Sequence, residues 1–191
     1  MFAEQWDGRA HFEIDVPEEH CGIFGLYCNQ ELDVGPIITH AAYALQHRGH
    51  EGWGVDLIDN YGIPFVVKFD GLVNASLSEN LVKQFSLTKP RVILLQTRYS
   101  TSGSTDINAN QPFHGASFGL THNGTITNAQ DIIKSLPQEL QSKPIYSDSY
   151  VVFLAISSAP YRTIEERMRS VLSKVEGAAN FVMYGDGNLY G

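Results

Sequence analysis

Apolar and polar positions follow one another in short blocks, some with the period of two typical of strands and others with the period of about 3.6 typical of helices. The stretches predicted as strands are CGIFGLYC, WGVDLI, PFVVKF, RVILLQTRY, SFGLTHNG and NFVMYG. RVILLQTRY is the most apolar of them, which predicts a central, buried strand. Residues 34–46 are predicted as a helix, because their apolar positions fall on one face and Pro36 suits a first turn.

Turn and capping residues separate these blocks. DNYG lies between WGVDLI and PFVVKF, and an Asp-Gly pair follows NFVMYG, so each place is predicted to be a hairpin turn. The predicted helix starts carry possible caps: Ser76 or Ser78, Thr127 with Gln130, and Thr163 with Glu166. Hairpins alternating with helices predict an α+β fold of mainly antiparallel sheets covered by helices.

Length and charge exclude several classes of function. At 191 residues the chain has room for one full hydrophobic core. Its formal net charge of −8 argues against a nucleic-acid surface, which needs clustered Lys and Arg. No run approaches the roughly 20 apolar residues that a membrane helix requires. Small molecules or proteins are therefore the expected partners.

The first 20 residues differ from the rest of the chain in charge. They hold six acidic residues against one arginine, a net charge of −5, and they lack the basic start and apolar core of a secretory signal. We therefore expect residues 1–20 to be an acidic leader and the protein to be cytoplasmic.

Cys21 follows this leader directly and is the candidate nucleophile. A cysteine in a strand is most often a small buried residue, and Cys28 fits that interpretation. Cleavage after His20 would instead give Cys21 a free α-amine, whose reference pKa of about 7.7 to 8 lets it accept a proton at neutral pH. One residue would then supply both nucleophile and base.

Other positions fit the chemistry that such a nucleophile requires. Asn123 and Gly124 follow a strand, where an amide side chain and a backbone N–H can hold an oxyanion, although Asn-Gly alone is most often a turn. Arg98 ends the predicted central strand, and a guanidinium matches a carboxylate through two parallel hydrogen bonds. Asp148 is predicted at a helix start, either as an N-cap or as an acceptor for an ammonium group.

Five sequence blocks resemble those of the class II glutamine amidotransferases, whose glutaminase domain is an N-terminal-nucleophile hydrolase. They are, in order, CGIFGLY, LQHRGHEGWG, TRYSTSG, NQPF and THNGTITNAQ, and the resemblance covers essentially residues 21–191. Within the family, the chain is most like the branch that passes ammonia to phosphoribosyl pyrophosphate at the start of purine synthesis. The resemblance implies a four-layer αββα sandwich of mainly antiparallel sheets. It also implies hydrolysis of the glutamine side-chain amide to glutamate and ammonia through a cysteine thioester, with no metal and no organic cofactor.

The same resemblance implies roles for individual residues. Cys21 would be the nucleophile with its own α-amine as base, and Asn123 and Gly124 would form the oxyanion hole. The remaining residues would surround glutamine: Arg98 at its α-carboxylate, Asp148 at its α-amino group, Thr101 and Gly103 along the pocket, and Arg48 with Gly49 in the loop beside the nucleophile.

Some positions depart from the pattern of this family. His50 stands where Gln is usual, Trp53 where a small residue is common, and Tyr150 where Glu is usual. We expect Trp53 and Tyr150 to reshape the pocket or its partner-facing side. The chain also has no acidic phosphoribosyl-binding stretch, so we expect a glutaminase domain over residues 21–191 without its last strands and without the synthase domain that accepts ammonia. An open sheet edge would then favour a homo-oligomer.

Three other interpretations are compatible with the sequence. In the first, the leader is kept and the chain is a catalytically silent module that senses glutamine or binds a protein. In the second, an autoprocessed enzyme of the same fold acts on another amide, against which the pair of Arg98 and Asp148 counts. In the third, Cys21 pairs with His122 as in papain, although the residues that usually surround such a cysteine are missing. Because the α-amine of Cys21 would already serve as base, four histidines are interpreted as structural or surface residues: His20, His47, His114 and His122.

Overall fold

The computed structural model describes residues 21–99 and 106–191, so the predicted leader lies outside the described residues. Within them the chain forms two four-stranded antiparallel sheets. The strands are β1 (Gly22–Tyr27), β2 (Gly52–Ile58), β3 (Pro64–Asp70), β4 (Val92–Arg98), β5 (Phe113–His114), β6 (Phe118–Ile126), β7 (Gly177–Gly185) and β8 (Asn188–Tyr190). The helices are α1 (Gly35–Leu45), α2 (Val73–Ser76), α3 (Glu79–Thr88), α4 (Ala129–Ser135), α5 (Gln138–Gln141), α6 (Asp148–Ser158) and α7 (Ile164–Leu172), with 3₁₀ turns at Gln46–Arg48 and Ile107–Ala109.

The first sheet has the strand order β1-β4-β2-β3, which places β4 in the interior as predicted. All of β4 is buried. Ile93 and Leu95 pack in the cluster that includes residues of α1 and α3, whereas Val92 and Leu94 pack against the second sheet. Because both faces of β4 are covered, its sequence is a continuous apolar run rather than an alternating one.

The second sheet has the order β5-β6-β7-β8. Val182 and Leu189 pack against the first sheet, while Leu120 and Met183 pack in a cluster with residues of α4, α6 and α7. The predicted αββα order of four layers is therefore confirmed. No described helix combines the length and apolar character needed to cross a membrane.

Local turn and cap chemistry explains several boundaries. The β7–β8 hairpin turns at Asp186 and Gly187, whose φ angles are 49° and 77°, as expected for the predicted Asp-Gly turn. The Ser78 hydroxyl accepts a hydrogen bond from the Leu81 N–H at 3.2 Å and so caps α3. A complete capping box also begins α7, as predicted.

The predicted capping box at the start of α4 is wrong. The residue before this helix is Asn128 rather than Thr127, and its side chain makes no capping hydrogen bond. Asn128 instead donates to the Lys174 carbonyl at 2.8 Å and accepts the Glu176 N–H at 3.0 Å. These hydrogen bonds to the loop before β7 take the place of a local helix cap.

Candidate active site

A cleft of about 900 Å³ lies at one end of the sheet sandwich. It is lined by six of the predicted site residues: Cys21, Arg48, Arg98, Asn123, Gly124 and Asp148. Strand pairing explains part of this convergence. Gly22 pairs with Thr97 in the antiparallel ladder of β1 and β4, so the start of β1 lies beside the end of β4. The end of β6 and the start of α6 complete the cleft.

Cys21 immediately precedes β1 and is half-buried. Its Sγ lies 3.4 Å from both the backbone nitrogen and the backbone oxygen of Tyr99. Burial raises the pKa of the Cys21 thiol, while the Tyr99 backbone and the Arg98 charge act to lower it. Because burial has the largest effect, the thiol stays protonated at neutral pH unless a base removes its proton.

Arg98 is buried at the end of β4, with 7% of its surface exposed. Its Nη1 donates a hydrogen bond to Asn110 Oδ1 at 3.2 Å. Asn110 in turn donates from Nδ2 to the Phe69 carbonyl and to Asp70 Oδ1, each at 3.0 Å. The guanidinium is thus held at the wall of the cleft by residues that are themselves fixed to the β3 strand.

The loop of Arg48 and Gly49 supports both Cys21 and Arg98. Arg48 Nε donates to the Cys21 carbonyl at 3.3 Å. A Cβ at Gly49 would lie 2.5 to 2.7 Å from backbone atoms of Arg98, so only glycine fits this close approach. The structure therefore puts Arg48 in the cleft wall and Gly49 against the backbone of Arg98.

Asn123 and Gly124 lie near the end of β6, where that strand pairs with β7. Asn123 is half-buried and Gly124 is exposed. Gly124 has a φ of 137°, and a Cβ at this position would overlap the Ala178 carbonyl oxygen. Glycine is therefore required here, and its small size keeps the backbone open to the cleft.

Asp148 is the first residue of α6, and the N-cap is the preceding residue, Ser147. The carboxylate accepts hydrogen bonds from the Ile126 N–H at 2.8 Å through Oδ2 and from the Ser149 N–H at 2.7 Å through Oδ1. These bonds tie the start of α6 to the end of β6. The N-cap interpretation of Asp148 is thereby wrong by one residue, and its carboxylate lies in the cleft wall.

Two predicted glutamine-binding residues, Thr101 and Gly103, lie outside the described residues. Their flanking positions, Tyr99 and Asp106, both line the cleft. The prediction for these two residues therefore stays a prediction.

The three departures from the family pattern have different surroundings. Trp53 is fully buried on the helix-facing side of β2, where its Nε1 donates to the Ser76 hydroxyl at 2.8 Å. It fills the core rather than lining the cleft, so the expectation that it reshapes the pocket is wrong. Tyr150 packs on Tyr146 at a centroid distance of 4.9 Å, and Tyr146 lines the cleft. His50 meets the ring of Tyr99 edge-on at 5.8 Å.

Three polar residues that line the cleft were not singled out as site residues by the sequence: Gln96, Gln111 and Ser149. All three are buried. Gln96 had a visible signal, since it is an uncharged polar residue that directly follows four apolar residues of β4. Ser149 had none, because a serine in the first turn of a helix is ordinary.

Within the described parts of the chain, no group of three or more His, Cys, Asp or Glu side chains is arranged to hold a metal ion. The expectation that no cofactor is needed stays a prediction.

Comparison with known proteins gives matches in sequence and in structure. No family model matches the chain. An amidophosphoribosyltransferase of Staphylococcus aureus is 28% identical over 184 residues, which cover 94% of this chain and 36% of that enzyme. One from Methanocaldococcus jannaschii is 29% identical over 173 residues, covering 87% of this chain and 36% of the enzyme. The chain thus spans about a third of the length of these curated relatives.

Among solved structures, the glutamine phosphoribosylpyrophosphate amidotransferase of Bacillus subtilis matches with a TM-score of 0.68 and 25% identity. The match covers 85% of this chain and 35% of that one. A structure described as the allosteric regulatory enzyme of purine biosynthesis matches with a TM-score of 0.67. In sequence and in its αββα fold, the chain is similar to the glutaminase part of the amidophosphoribosyltransferases, which has the fold of the N-terminal-nucleophile hydrolases.

Proposed function

We propose that this chain hydrolyses the side-chain amide of glutamine to glutamate and ammonia, through a thioester on Cys21, after residues 1–20 are removed. Arg98 binds the α-carboxylate of glutamine and Asp148 binds its α-ammonium group. Asn123 and Gly124 stabilise the oxyanion.

One observation carries this proposal: a thiol, a buried cation and a carboxylate share one cleft. Both charges act on Cys21, since Arg98 lowers the pKa of its thiol and Asp148 raises it. A cation and an anion beside one nucleophile match the two charged groups of a free α-amino acid. A simple acyl amide would use neither, so the geometry favours the amide of a free α-amino acid such as glutamine over a simple acyl amide.

The proposed reaction balances without a cofactor. The α-amine of Cys21 takes the thiol proton, and the thiolate attacks the side-chain carbonyl carbon of glutamine. The Asn123 amide and the Gly124 N–H hold the oxyanion that forms. The proton then passes to the leaving nitrogen, and the C–N bond breaks to release ammonia. In the second half the α-amine takes a proton from water as the water oxygen adds to the thioester carbon, the C–S bond breaks to release glutamate, and the proton returns to the Cys21 sulfur.

Removal of the leader supplies the base in this scheme. Burial raises the pKa of the Cys21 thiol, so a peptide-bonded Cys21 would hold little thiolate at neutral pH. Among the described residues, the Cys21 sulfur makes its hydrogen bonds with the Tyr99 backbone, and His122 Nδ1 contacts Ser149. These contacts favour the α-amine over His122 as base.

The names of the relatives suggest what happens to the ammonia. We propose that, in a longer protein or a complex, a synthase domain passes it to phosphoribosyl pyrophosphate in purine synthesis. Assembly as a homo-oligomer and a cytoplasmic location belong to the same proposal, and size-exclusion chromatography and cell fractionation test them.

The decisive experiment combines intact mass with ammonia release. Purified protein is weighed before and after treatment with a glutamine-like diazoketone, and ammonia is assayed with glutamine, asparagine and a simple acyl amide. We expect loss of residues 1–20, one adduct on Cys21, and release from glutamine alone; Cys21→Ala should give neither adduct nor ammonia. A retained leader without adduct would contradict the proposal and support a silent binding module. Equal release from all three amides would point to an amidase of broader specificity.

A further inference from the structure

His122 lies in β6 directly before Asn123, and it is almost fully buried, at 2% exposure. Its ring nitrogen Nδ1 lies 2.7 Å from the Ser149 hydroxyl oxygen. The ring also stacks on Phe181, with a centroid distance of 4.7 Å. The proposed glutamine hydrolysis gives this ring no chemical role, although it lies between two groups that the reaction needs.

The hydrogen bonds around Ser149 decide which ring nitrogen carries the proton. The hydroxyl oxygen lies 3.3 Å from Asp148 Oδ1, which can only accept, and 2.7 Å from His122 Nδ1, which donates or accepts according to its tautomer. Gln111 Nε2 donates to the same hydroxyl oxygen at 3.2 Å. With the hydroxyl proton directed at Asp148, His122 donates from Nδ1–H, and this tautomer also avoids burying an N–H at Nε2, which has no partner among the described residues.

The opposite ring nitrogen, Nε2, is buried and has no hydrogen-bond partner within the described residues. Burial lowers the pKa of His122, while the Asp148 charge acts to raise it. A cationic ring would bury a second N–H donor that has no acceptor. The ring is therefore neutral, with its proton on Nδ1.

The backbone of His122 is fixed as well. Its N–H donates to Gln111 Oε1 at 2.6 Å, and its carbonyl accepts from Gln96 Nε2 at 3.1 Å and from Gln111 Nε2 at 3.4 Å. Gln96 Oε1 also accepts the Gln111 backbone N–H at 3.3 Å. Two buried glutamines thus hold both backbone groups of the residue that precedes Asn123.

We propose that His122 is a positioning residue that joins the two ends of the glutamine site, an inference that rests on the proposed glutaminase function. Through Nδ1–H and the Ser149 hydroxyl, it orients the Asp148 carboxylate toward the α-ammonium group. Through its backbone, it orients Asn123 toward the oxyanion. It takes no proton from Cys21.

Four variants test this role. Ser149→Ala removes the bridging hydroxyl, His122→Leu removes the ring, and His122→Asn keeps a side-chain N–H near the position of Nδ1. Thr121→Val is the matched control, because Thr121 is the buried neighbour of His122 in β6 and its side chain points to the opposite face. It deletes one buried hydroxyl and its hydrogen bond to the Val182 carbonyl at 3.0 Å, whereas Ser149→Ala deletes the hydroxyl that contacts His122, Asp148 and Gln111.

We expect Ser149→Ala to raise the KM for glutamine about tenfold and to change kcat by about twofold at most, because the carboxylate loses a hydrogen bond that orients it. His122→Leu should raise KM further, His122→Asn should recover part of that loss, and Thr121→Val should match the wild type. Ser149→Ala and His122→Leu with the KM of the control would overturn the proposal. A loss of kcat at unchanged KM in His122→Leu would also overturn it, since the ring would then act in the chemistry.

Imidazole nitrogen shifts measured by NMR give a readout that needs no glutamine. The wild-type ring should be protonated on Nδ1, and Ser149→Ala should move the proton toward Nε2. A wild-type ring protonated on Nε2 would overturn the proposal. A wild-type protein that neither binds glutamine nor releases ammonia would contradict the proposed function, and the tautomer would still decide whether the chain from His122 to Asp148 exists.

Discussion

Two polar clusters in this molecule each contain a histidine and an aspartate and have different surroundings. The cleft cluster consists of His122, Ser149 and Asp148 and borders the open cleft beside Cys21. The inter-sheet cluster consists of Asp56, His114 and Lys68. In it, Asp56 of β2 faces the second sheet, and its Oδ2 lies 2.6 Å from Nδ1 of His114 in β5.

The two carboxylates differ in how their charge is compensated. Asp148 accepts backbone N–H groups at the start of a helix, and its surface is only half-buried. Asp56 is fully buried, and its Oδ1 has no partner within the described residues. Burial raises the pKa of Asp56 against the effect of His114, and it lowers the pKa of Lys68 to about 8.

A carboxylate beside a histidine is therefore not by itself a sign of catalysis. What distinguishes the cleft cluster is its access to open space and its nearness to Cys21, the proposed nucleophile. The difference predicts a separation of effects: substitutions around the cleft should change catalysis, and substitutions in the inter-sheet cluster should change stability.

The largest effect should come from Cys21→Ala, which removes the nucleophile. Ammonia release should fall by at least about 1,000-fold, because no other group can form the thioester. The melting temperature should stay the same, since the half-buried thiol is replaced by a smaller side chain. The matched control is Cys28→Ala, which changes the other cysteine and should keep the activity. Unfolding of Cys21→Ala would identify Cys21 as a core residue instead.

His114→Ala should have the largest effect on stability. Removing His114 takes the hydrogen-bond partner from the buried Asp56 carboxylate and leaves the Lys68 charge alone to offset it, so the free energy of unfolding should fall by about 3 kcal/mol. Urea unfolding measures this loss, and the KM for glutamine should not change. His114→Asn keeps a side-chain N–H near Asp56 and should lose less. A changed KM with unchanged stability would reverse the roles assigned to the two clusters.

Arg98→Ala should raise the KM for glutamine by about 10- to 100-fold, the cost of losing hydrogen bonds to a charged group. Arg91 provides the control, since it precedes the opposite end of β4 and bonds the Tyr27 hydroxyl at an exposed site. Steady-state kinetics with Arg91→Ala should match the wild type. If both variants keep the wild-type KM, Arg98 does not bind the carboxylate.

The smallest effect is a shift in a pH profile. Burial raises the pKa of the Cys21 thiol above its ordinary value of 9.0. The thiolate is the reactive form, so alkylation by iodoacetamide should still be rising with pH at that value in protein that keeps the leader. Removing the leader frees an α-amine that can take the thiol proton once the amine is neutral, near its reference pKa of about 7.7 to 8, and should therefore move the profile to lower pH. Mass spectrometry at several pH values measures both profiles, and identical midpoints would contradict the proposed part of the α-amine.

Local patterns predicted the elements that local chemistry determines. The apolar run of β4, the amphipathic face of α1 and the Asp-Gly turn before β8 each depend on residues close in sequence. The prediction of a capping box at Thr127 was wrong because Asn128 forms hydrogen bonds with residues 46 and 48 positions away in the sequence. The prediction that Trp53 reshapes the pocket was wrong for a similar reason. Which face of β2 this side chain occupies depends on the helices that cover the sheet, and the local sequence does not determine that packing.

The cleft required information that no local pattern contains. Antiparallel strand pairing and helix docking bring together Cys21, Arg98, Asn123 and Asp148. The family resemblance, and not the periodicity of the sequence, predicted that these residues share one site. Neither local patterns nor the family resemblance predicted the pair of Asp56 and His114, because these residues are 58 positions apart and belong to different sheets. Its one local sign was a charged residue within an apolar strand.

The short ladder that begins at Gly22 has a mechanical consequence for a processed enzyme. The first residues of a chain ordinarily fray, and a frayed nucleophile would spend much of its time away from its substrate. Here the carbonyl of Cys21 is held by Arg48, its sulfur by the Tyr99 backbone, and the next residue by the pairing with β4. A new chain end at Cys21 would therefore be held in place by these contacts. The conformational entropy of the terminus would be lost on folding, so glutamine binding would not have to supply that cost.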